Sequence, residues 1–302
     1  MSMNKLLFTG ASGFLGHNVK PLLNSIYEVK TLGFSDNDDI KVNLATTVPE
    51  IEESFDVILH AAGKAHSMPK TEAEKKVFFD VNYQGTVNLC RALEKRTIPN
   101  AFIFISTVAV YGLDFGENIT EEHPLNGNTP YALSKIRAEQ FLTEWCARHN
   151  VTLGIIRPSL IAGPHPPGNL ATMIKGIQTG RYFSVAGGKA RKSILMVQDI
   201  ARLLPSLIEK GGIYNVCDDT QPTFRELEIL IAKQLGKRPP LSISYWLAKP
   251  IALIGDLLGD KAPVNSIKLK KITGSLTFSN ERAKKELGWH PVNVLDNFTI
   301  EK

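Results

Sequence analysis

Short apolar runs alternate with longer stretches of helical spacing through the first half of the chain. The apolar runs predict strands at residues 5–9, 28–34, 56–60, 101–106 and 152–157. The intervening patterns predict helices at residues 13–25, 72–96 and 131–148, with Val77, Val81, Leu89 and Leu93 facing inward. Strands that alternate with helices in this way form a parallel sheet covered on both faces. The pattern therefore predicts an α/β fold with a doubly wound parallel sheet of the Rossmann type.

The pattern loosens after residue 157. A stiff Gly- and Pro-rich loop at residues 163–168 precedes predicted helices near 170–179 and 223–235 and a predicted strand near 213–216. We predict a dinucleotide-binding domain at residues 1–158. Residues 159–302 are predicted to form mainly a smaller α/β substrate-binding lobe, with segments that rejoin the main sheet.

One later segment, residues 245–258, is unusually apolar. Lys249, Pro250 and Asp256 interrupt it, and it is too short to span a bilayer, so we expect no integral membrane segment. A helix buried in the C-terminal lobe is the favoured interpretation. Peripheral docking to a membrane is the alternative.

Composition narrows the class of protein. The chain has 302 residues, of which 43% are hydrophobic and 22% charged, as in ordinary globular proteins. Its net charge of +5 comes from scattered Lys and Arg, so no nucleic-acid partner is expected. Three cysteines distant in sequence predict reduced, buried thiols, with neither a disulfide framework nor a metal site. With no signal peptide at the N-terminus, we expect a cytoplasmic protein.

A glycine-rich loop joins the first predicted strand to the first predicted helix. Its residues are Gly10, Ala11, Ser12, Gly13, Phe14, Leu15 and Gly16. Glycine permits the tight turn, the close approach of a pyrophosphate and the packing of helix on strand. The helix N-terminus adds unpaired N–H groups and a partial positive charge. This position between strand and helix predicts a dinucleotide site.

The end of the second strand normally selects between the two nicotinamide dinucleotides. Around residues 33–36 there is no Arg or Lys to neutralise a 2′-phosphate, and Asp36, Asp38 and Asp39 would repel one. NAD is therefore favoured over NADP. Because no carboxylate lies directly at the strand end, NADP stays open.

Candidate catalytic residues lie after the fourth predicted strand and on the helix that follows. Tyr131 and Lys135 are four residues apart and share one helix face. A neighbouring ammonium, together with a positive nicotinamide, favours the tyrosinate and so suits Tyr131 to proton exchange with a substrate hydroxyl. Thr107, at the carboxyl end of a parallel strand, points into the crevice where ligands bind and can contact the same oxygen.

These motifs occur in an order that resembles a known family. The glycine loop is followed by His60-Ala61-Ala62-Gly63, by Asn82 with Gly85-Thr86, by Thr107 with Val110-Tyr111-Gly112, by Tyr131 and Lys135, and by Arg157-Pro158. Together they resemble the extended short-chain dehydrogenase/reductases of the nucleotide-sugar epimerase/dehydratase group. The resemblance covers nearly the whole chain.

The resemblance implies roles for the matching positions. Tyr131 is the expected acid/base, Lys135 its partner and Thr107 the hydroxyl relay. The implied cofactor-binding residues are Gly10, Ser12, Gly13, Phe14, Leu15, Gly16, Asn43, Leu44, Ala61, Ala62, Gly63, Asn82, Ser106, Tyr131, Lys135, Arg157 and Pro158. The implied substrate-binding residues are Thr107, Asn169, Leu170 and Arg191. The segment 287–291 resembles the closing signature of the family, which is structural.

The resemblance also implies the reaction class. Sugar dehydratases of this group carry Asp-Glu after the active-site Thr, whereas this chain has Val108 and Ala109, so dehydration is not expected. The leading hypothesis is a 4-epimerase of a UDP-sugar. The alternative is a 4-ketoreductase of a UDP-4-keto-6-deoxy sugar in the synthesis of surface-polysaccharide precursors. A non-catalytic dinucleotide sensor is the third possibility. Family members often form homodimers through two helices, here those around 81–93 and 131–148.

Overall fold

A seven-stranded sheet, parallel throughout, forms the centre of the molecule. The computed structural model describes residues 3–65, 67–258 and 265–301. The strands of this sheet are β1 Lys5–Thr9, β2 Glu28–Gly33, β3 Ile40–Lys41, β4 Val57–His60, β5 Ala101–Ile105, β7 Thr152–Pro158 and β11 Gly212–Val216. Their spatial order is β11, β7, β5, β4, β1, β2 and β3. The predicted doubly wound α/β fold is confirmed.

Three pairs of short parallel strands lie outside the main sheet. They are β6 Gly116–Ile119 with β13 Leu276–Phe278, β8 Leu160–Ala162 with β10 Ile194–Met196, and β9 Ser184–Val185 with β12 Ser242–Ile243. The first of these pairs joins the loop after β5 to the C-terminal part of the chain. Residues after 158 also supply β11 to the main sheet. The domain boundary itself stays a prediction.

The helices cover both faces of the sheet and build the lobe. They are α1 Phe14–Leu23, α2 Glu72–Phe79, α3 Gly85–Arg96, α4 Pro130–His149, α5 Gly168–Gln178, α6 Gln198–Lys210, α7 Phe224–Gln234, α8 Tyr245–Leu258, α9 Ser266–Thr273, α10 Glu281–Leu287 and α11 Val294–Asn297. A π-helical turn, Asp80–Gln84, joins α2 to α3, and a 3₁₀ turn, Val108–Tyr111, follows β5.

Alternating strand residues divide the core between the two faces of the sheet. Phe8 and Ile103 pack with α1, α6 and α10, where Trp289 of the closing signature is also buried. Phe102 packs on the other face with α3 and α4, in contact with Trp145. The lobe has a separate core between α5, α7 and α11. Because the central strands are apolar on both faces, they read as uninterrupted apolar runs in the sequence.

The structure corrects two predictions about individual segments. The pattern 72–96 is not one α-helix, because a π turn interrupts it, and Val77 is 38% exposed while its neighbour Phe78 is buried. The predicted burial of the apolar segment is also wrong. Helix α8 forms there, but Trp246 is 77% and Leu257 89% exposed. Among the described residues, no helix is both long enough and apolar enough to cross a membrane.

Candidate active site

The glycine loop at the end of β1 is shaped by close backbone approaches. Gly10 has φ +80°, and a Cβ there would lie 2.6 Å from the Ala62 backbone nitrogen. A Cβ at Gly16 would lie 2.2 Å from the Ala11 carbonyl oxygen. Gly13 caps α1 without a side-chain hydrogen bond, so the first N–H groups of this helix are left for a ligand. These features fit a pyrophosphate held against the helix N-terminus.

Other members of the predicted cofactor loop lie around the start of α1. Ser12 is exposed, whereas Phe14 and Leu15 are partly buried against the core. The Phe14 ring lies 3.5 Å from the position of a Cβ at Gly163, so the glycine loop abuts the Gly- and Pro-rich loop of the lobe. The phosphate loop and the predicted substrate lobe are therefore neighbours.

The acidic residues after β2 fold back onto the strand end. A Cβ at Gly33 would lie 2.3 Å from Asp38 Oδ2, and this oxygen accepts a hydrogen bond from the Ser35 N–H at 3.0 Å. Asp39 accepts hydrogen bonds from Thr31, and Asp36 is ion-paired with Lys41. Sequence spacing did not identify Asp38 as an acid at the strand end, because the turn brings it back from five residues downstream.

The predicted adenine-side pair has local structural partners. Asn43 Oδ1 accepts the Ala45 N–H at 3.0 Å and closes a turn. Leu44 is buried, and its carbonyl accepts a hydrogen bond from Asn88 Nδ2 at 2.8 Å. A Cβ at Gly85 would lie 3.4 Å from Leu44 Cβ, so the pair packs against the start of α3.

A buried histidine links the phosphate loop to α3. His60 Nδ1 lies 2.6 Å from Thr9 Oγ1, and its Nε2 lies 2.9 Å from Thr86 Oγ1. Because the Thr86 hydroxyl donates to the Asn82 carbonyl, it must accept from Nε2–H, which leaves Nδ1 to accept from Thr9. Burial, helped by the charge of Lys135, lowers the pKa of His60 to about 3. His60 is therefore a neutral connector with one tautomer.

Asn82 extends this chain of hydrogen bonds toward the catalytic helix. Its side chain pairs with the backbone of Lys64 and donates to Ser134 Oγ at 2.9 Å. The Ser134 hydroxyl donates to the Tyr131 carbonyl at 2.8 Å. The π turn places Asn82, which is fully buried, in this position. Asn82 thus fixes the loop that begins at Ala61 against the first turn of α4.

Thr107 and Tyr131 meet at the carboxyl end of β5. Thr107 Oγ1 accepts the Ala109 N–H at 3.2 Å, which leaves its hydroxyl proton for Tyr131. Burial raises the pKa of Tyr131, and the hydrogen bond with Thr107 lowers it by a smaller amount. The ring also contacts Phe78, with centroids 6.3 Å apart. The lowered pKa expected beside Lys135 is therefore not found in the protein alone.

Lys135 is buried behind this pair. Its ammonium donates to the Ile105 carbonyl at 2.8 Å and lies 4.5 Å from the centre of the Phe104 ring. A Cβ at Gly63 would lie 3.2 Å from Asn82 Oδ1 and 3.3 Å from Lys135 Nζ, so a side chain there would crowd both groups. Burial lowers the pKa of Lys135 to about 8, against the opposing effect of Glu139. The ammonium form still predominates at pH 7.

Ser106, Glu139 and Arg157 form a buried polar group beneath the site. Arg157 donates to Glu139 Oε2 at 2.6 Å and to the Tyr111 hydroxyl at 3.0 Å, and Ser106 donates to the same carboxylate. The Arg157 guanidinium is thus engaged inside the protein, so contact with a cofactor would come from its backbone or from Pro158. Glu139 was not among the residues singled out from the sequence, although its spacing of four from Lys135 places it on the same helix face.

The predicted substrate-binding residues after β8 differ in their surroundings. Asn169 is exposed in the first turn of α5, while Leu170 is only 2% exposed and packs in the core of the lobe. Arg191 donates to the Gln221 carbonyl at 3.0 Å and lines an open groove with Asp219 and Lys284. The structure brings Thr107 to Tyr131 but shows no contact of Arg191 with either of them.

The chain resembles curated enzymes over most of its length. It is 30% identical over 299 residues to the N-acetyl-alpha-D-glucosaminyl-diphospho-ditrans,octacis-undecaprenol 4-epimerase of Escherichia coli O157:H7, covering 91% of this chain and 87% of that protein. It is 28% identical to the UDP-glucose 4-epimerase of Vibrio cholerae, covering 96% and 92%. It is 29% identical to the GDP-6-deoxy-D-mannose reductase of Pseudomonas aeruginosa, covering 76% and 79%.

A solved structure supports the fold. RMD from Pseudomonas aeruginosa, complexed with NADPH, superposes with a TM-score of 0.75 at 22% identity, covering 98% of this chain and 96% of that one. The model of the NAD dependent epimerase/dehydratase family matches residues 6–217. This match runs from β1 to the residue after β11 and includes the glycine loop, Thr107, Tyr131 and Lys135. The chain therefore belongs to the NAD dependent epimerase/dehydratase family, as its resemblance to the extended short-chain dehydrogenase/reductases predicted.

Proposed function

We propose that this protein is an NAD-dependent 4-epimerase of a sugar carried on a diphosphate. The observation that carries the proposal is the contact of Thr107 with Tyr131, with the Lys135 ammonium behind it, next to the glycine loop. This arrangement suits reversible proton exchange with a sugar hydroxyl. The curated 4-epimerases among the relatives support the same reaction class.

The residues of the site divide the chemistry between them. Tyr131 accepts the proton of the C4 hydroxyl and later returns it, and Thr107 holds the reacting oxygen by hydrogen bonding. Bound NAD supplies the hydride acceptor, so that oxidation at C4 followed by reduction on the opposite face inverts the centre. When NAD is bound, the buried charge of Lys135 and the positive nicotinamide would together favour the tyrosinate. Its pKa of about 8 keeps it mostly charged at neutral pH.

The same residues argue against loss of water from the sugar. Val108 and Ala109 occupy the first positions of the 3₁₀ turn after Thr107, and neither can transfer a proton. The Ala109 N–H is already used by Thr107 Oγ1. Elimination of water needs a second acid/base directly after Thr107, and neither Val108 nor Ala109 can supply one.

A 4-ketoreductase is the second candidate, supported by the relative named a GDP-6-deoxy-D-mannose reductase. Reduction of a 4-keto sugar uses the same proton donor but transfers hydride only once. Asp38, which lies against Gly33 at the end of β2, favours NAD because its charge would repel a 2′-phosphate. An epimerase uses the same bound NAD in both of its half-reactions, whereas a reductase consumes reduced cofactor in one hydride transfer.

The carrier of the sugar is either a nucleotide or a lipid. UDP is the leading carrier, on the prediction that Asn169 and Arg191 hold a nucleotide diphosphate. A polyprenyl diphosphate is the second candidate, supported by the named substrate of the Escherichia coli relative and by the exposed apolar face of α8. A homodimer formed through α3 and α4 stays a prediction.

Cofactor consumption tests the reaction class. Mass spectrometry of ligands released from the purified protein is expected to find NAD, and a panel of UDP-sugars and of lipid-diphosphate sugars is expected to show C4 inversion without added NADH. Stoichiometric oxidation of NADH or NADPH with a 4-keto sugar, and no inversion of any C4 epimer pair, contradicts the proposal in favour of the reductase.

A further inference from the structure

Helix α8 exposes large apolar side chains where a helix of a globular protein normally buries them. Trp246 is 77%, Leu247 66%, Ile254 65% and Leu257 89% exposed, and Ile251 and Leu253 are each 54% exposed. Ile267, at the start of α9, is 64% exposed. Such a concentration of exposed apolar side chains marks an interaction surface. We call it the α8 surface.

The packing of α8 explains this reversal. Among the side chains of α8 that are described, Ala248 and Ala252 are buried, and they pack with Leu269 of α9 and with Val185 and Ile243 of the small β9–β12 sheet. Small residues four apart let the helix lie close to the protein. The large side chains are thereby left on the opposite side, where the described part of the chain gives them little to contact.

Positive charge accompanies the α8 surface. Residues 237–273 contain seven Lys or Arg and two Asp, a net charge of +5 that equals the charge of the whole chain. Lys249 and Lys270 are exposed, and Lys271 is exposed and ion-paired with Asp114 at 2.9 Å. Asp256 accepts hydrogen bonds from Ser266 at the start of α9, so it is turned toward the protein.

The α8 surface adjoins the loop that leaves the candidate active site. Lys270 Nζ lies 4.7 Å from the centre of the Phe115 ring, and Phe115 follows the turn that begins after Thr107. A Cβ at Gly274 would lie 3.4 Å from Phe115 Cβ. A surface bound by α8 would therefore lie close to the substrate side of the enzyme.

We propose that the α8 surface docks on a membrane leaflet rich in anionic headgroups. At 14 residues the helix is about 21 Å long, which is too short to span a bilayer but suits a helix lying in the interface. Exposed Trp and Leu insert at the level of the headgroups, and the lysines attract anionic lipid. A second copy of this chain fits less well, because two like-charged surfaces would face each other. The proposal concerns this surface and does not depend on the reaction proposed above.

Vesicle flotation with the full-length protein tests the docking. The wild-type protein is expected to float with phosphatidylglycerol–phosphatidylcholine vesicles and to bind phosphatidylcholine vesicles more weakly. Trp246→Ser combined with Leu257→Ser is expected to reduce partitioning at least about tenfold. The matched control replaces two exposed apolar residues elsewhere, Leu22→Ser with Met68→Ser, and is expected to bind like the wild type.

The charge contribution has its own pair of variants. Lys249→Gln, Lys270→Gln and Lys271→Gln together are expected to reduce binding to the anionic vesicles about tenfold and to remove the preference for them. The control triple, Lys75→Gln, Lys76→Gln and Lys95→Gln, removes the same charge from α2 and α3 and is expected to keep the preference.

Tryptophan fluorescence reports the insertion directly. Trp145 and Trp289 are buried, so a blue shift on adding anionic vesicles is expected to come from Trp246 and to disappear in Trp246→Phe. All these variants are expected to retain turnover of a soluble substrate, so a failure of docking is distinguishable from a failure of the proposed reaction.

Three results would overturn the proposal. They are no binding of the wild-type protein to any vesicle, equal binding by surface and control variants, and a blue shift that persists in Trp246→Phe. Sedimentation velocity adds a fourth. If the wild-type protein self-associates without binding vesicles, and Trp246→Ser with Leu257→Ser makes it monomeric, the α8 surface is a contact between copies of this chain.

Discussion

Glu139 and Arg157 provide the most quantitative test of how the site is supported. Both side chains are only 4% exposed, and their charged groups approach to 2.6 Å. Removal of one partner leaves the other charge buried, which costs about 3–5 kcal/mol. In Glu139→Gln the amide still accepts one hydrogen bond from Arg157, so we expect a loss of about 3 kcal/mol in the free energy of unfolding. For a chain of 302 residues this lowers Tm by about 5 °C.

The double variant Glu139→Met with Arg157→Met separates charge from packing. Replacement of both partners by apolar side chains is often close to neutral, so we expect the double variant to lie within about 2 kcal/mol of the wild type. Glu72→Gln removes an exposed ion pair with Lys75 and serves as the control, with an effect under about 0.5 kcal/mol. Urea unfolding followed by circular dichroism measures all four proteins.

The same substitution has a catalytic consequence. The carboxylate of Glu139 raises the pKa of Lys135, so Glu139→Gln lowers it. Since the ammonium form supports the tyrosinate, the alkaline limb of the turnover profile is expected to move to lower pH. The reasoning is refuted if Glu139→Gln is as stable as the wild type, or if the double variant loses at least as much stability as Glu139→Gln.

Three further predictions concern residues around the site. Gly10→Ala is expected to reduce NAD binding at least about tenfold, because Gly10 has φ +80° and the new Cβ would clash with the backbone of Ala62. The control is Gly180→Ala, where φ is +68° but the space is open, and NAD binding is expected to stay unchanged. Calorimetry measures NAD binding by both variants. The pKa of His60 is lowered to about 3 in the folded protein, so the imidazole is protonated at higher pH in the unfolded chain than in the folded one. The free energy of unfolding should therefore fall as pH drops from about 6.5 toward 3. If the stability of His60→Gln falls equally over this pH range, His60 does not cause the fall. Folding lowers the pKa of Lys135 from 10.5 to about 8, so the side chain takes up a proton on unfolding between these two pH values and the free energy of unfolding rises with pH there. Lys135→Met should remove that rise, should be more stable than the wild type at pH 7 by up to about 3 kcal/mol, and should lose turnover. A variant that is less stable and fully active refutes this prediction.

Much of the fold was predictable because the central strands carry a local signal. The apolar run at β1 gave the bounds Lys5–Thr9, and the spacing of Tyr131 and Lys135 placed both on α4. The π turn at Asp80–Gln84 was not predictable, because its sequence keeps ordinary helical spacing. Asn82 in that turn is fully buried, whereas Val77, which the pattern placed inward, is 38% exposed.

The missed features of the site depend on contacts between distant parts of the chain. Asp38 reaches the end of β2 through a turn, and the partners of Arg157 come from α4 and from the turn after β5. Helix α8 shows the opposite case, in which an apolar pattern was interpreted as buried. Its small residues Ala248 and Ala252 form the packed face, so hydrophobicity alone gave the wrong side.

Turnover by Tyr131→Phe tests the central claim most directly. The substitution removes only the hydroxyl that meets Thr107, so the protein is expected to fold normally and to bind NAD as the wild type does. With the sugar that the wild-type enzyme inverts, we predict a fall in kcat of about 10²–10⁴-fold. A Tyr131→Phe protein that binds NAD and inverts C4 within about threefold of the wild-type rate contradicts the account, since that change is far below what general acid–base catalysis supplies.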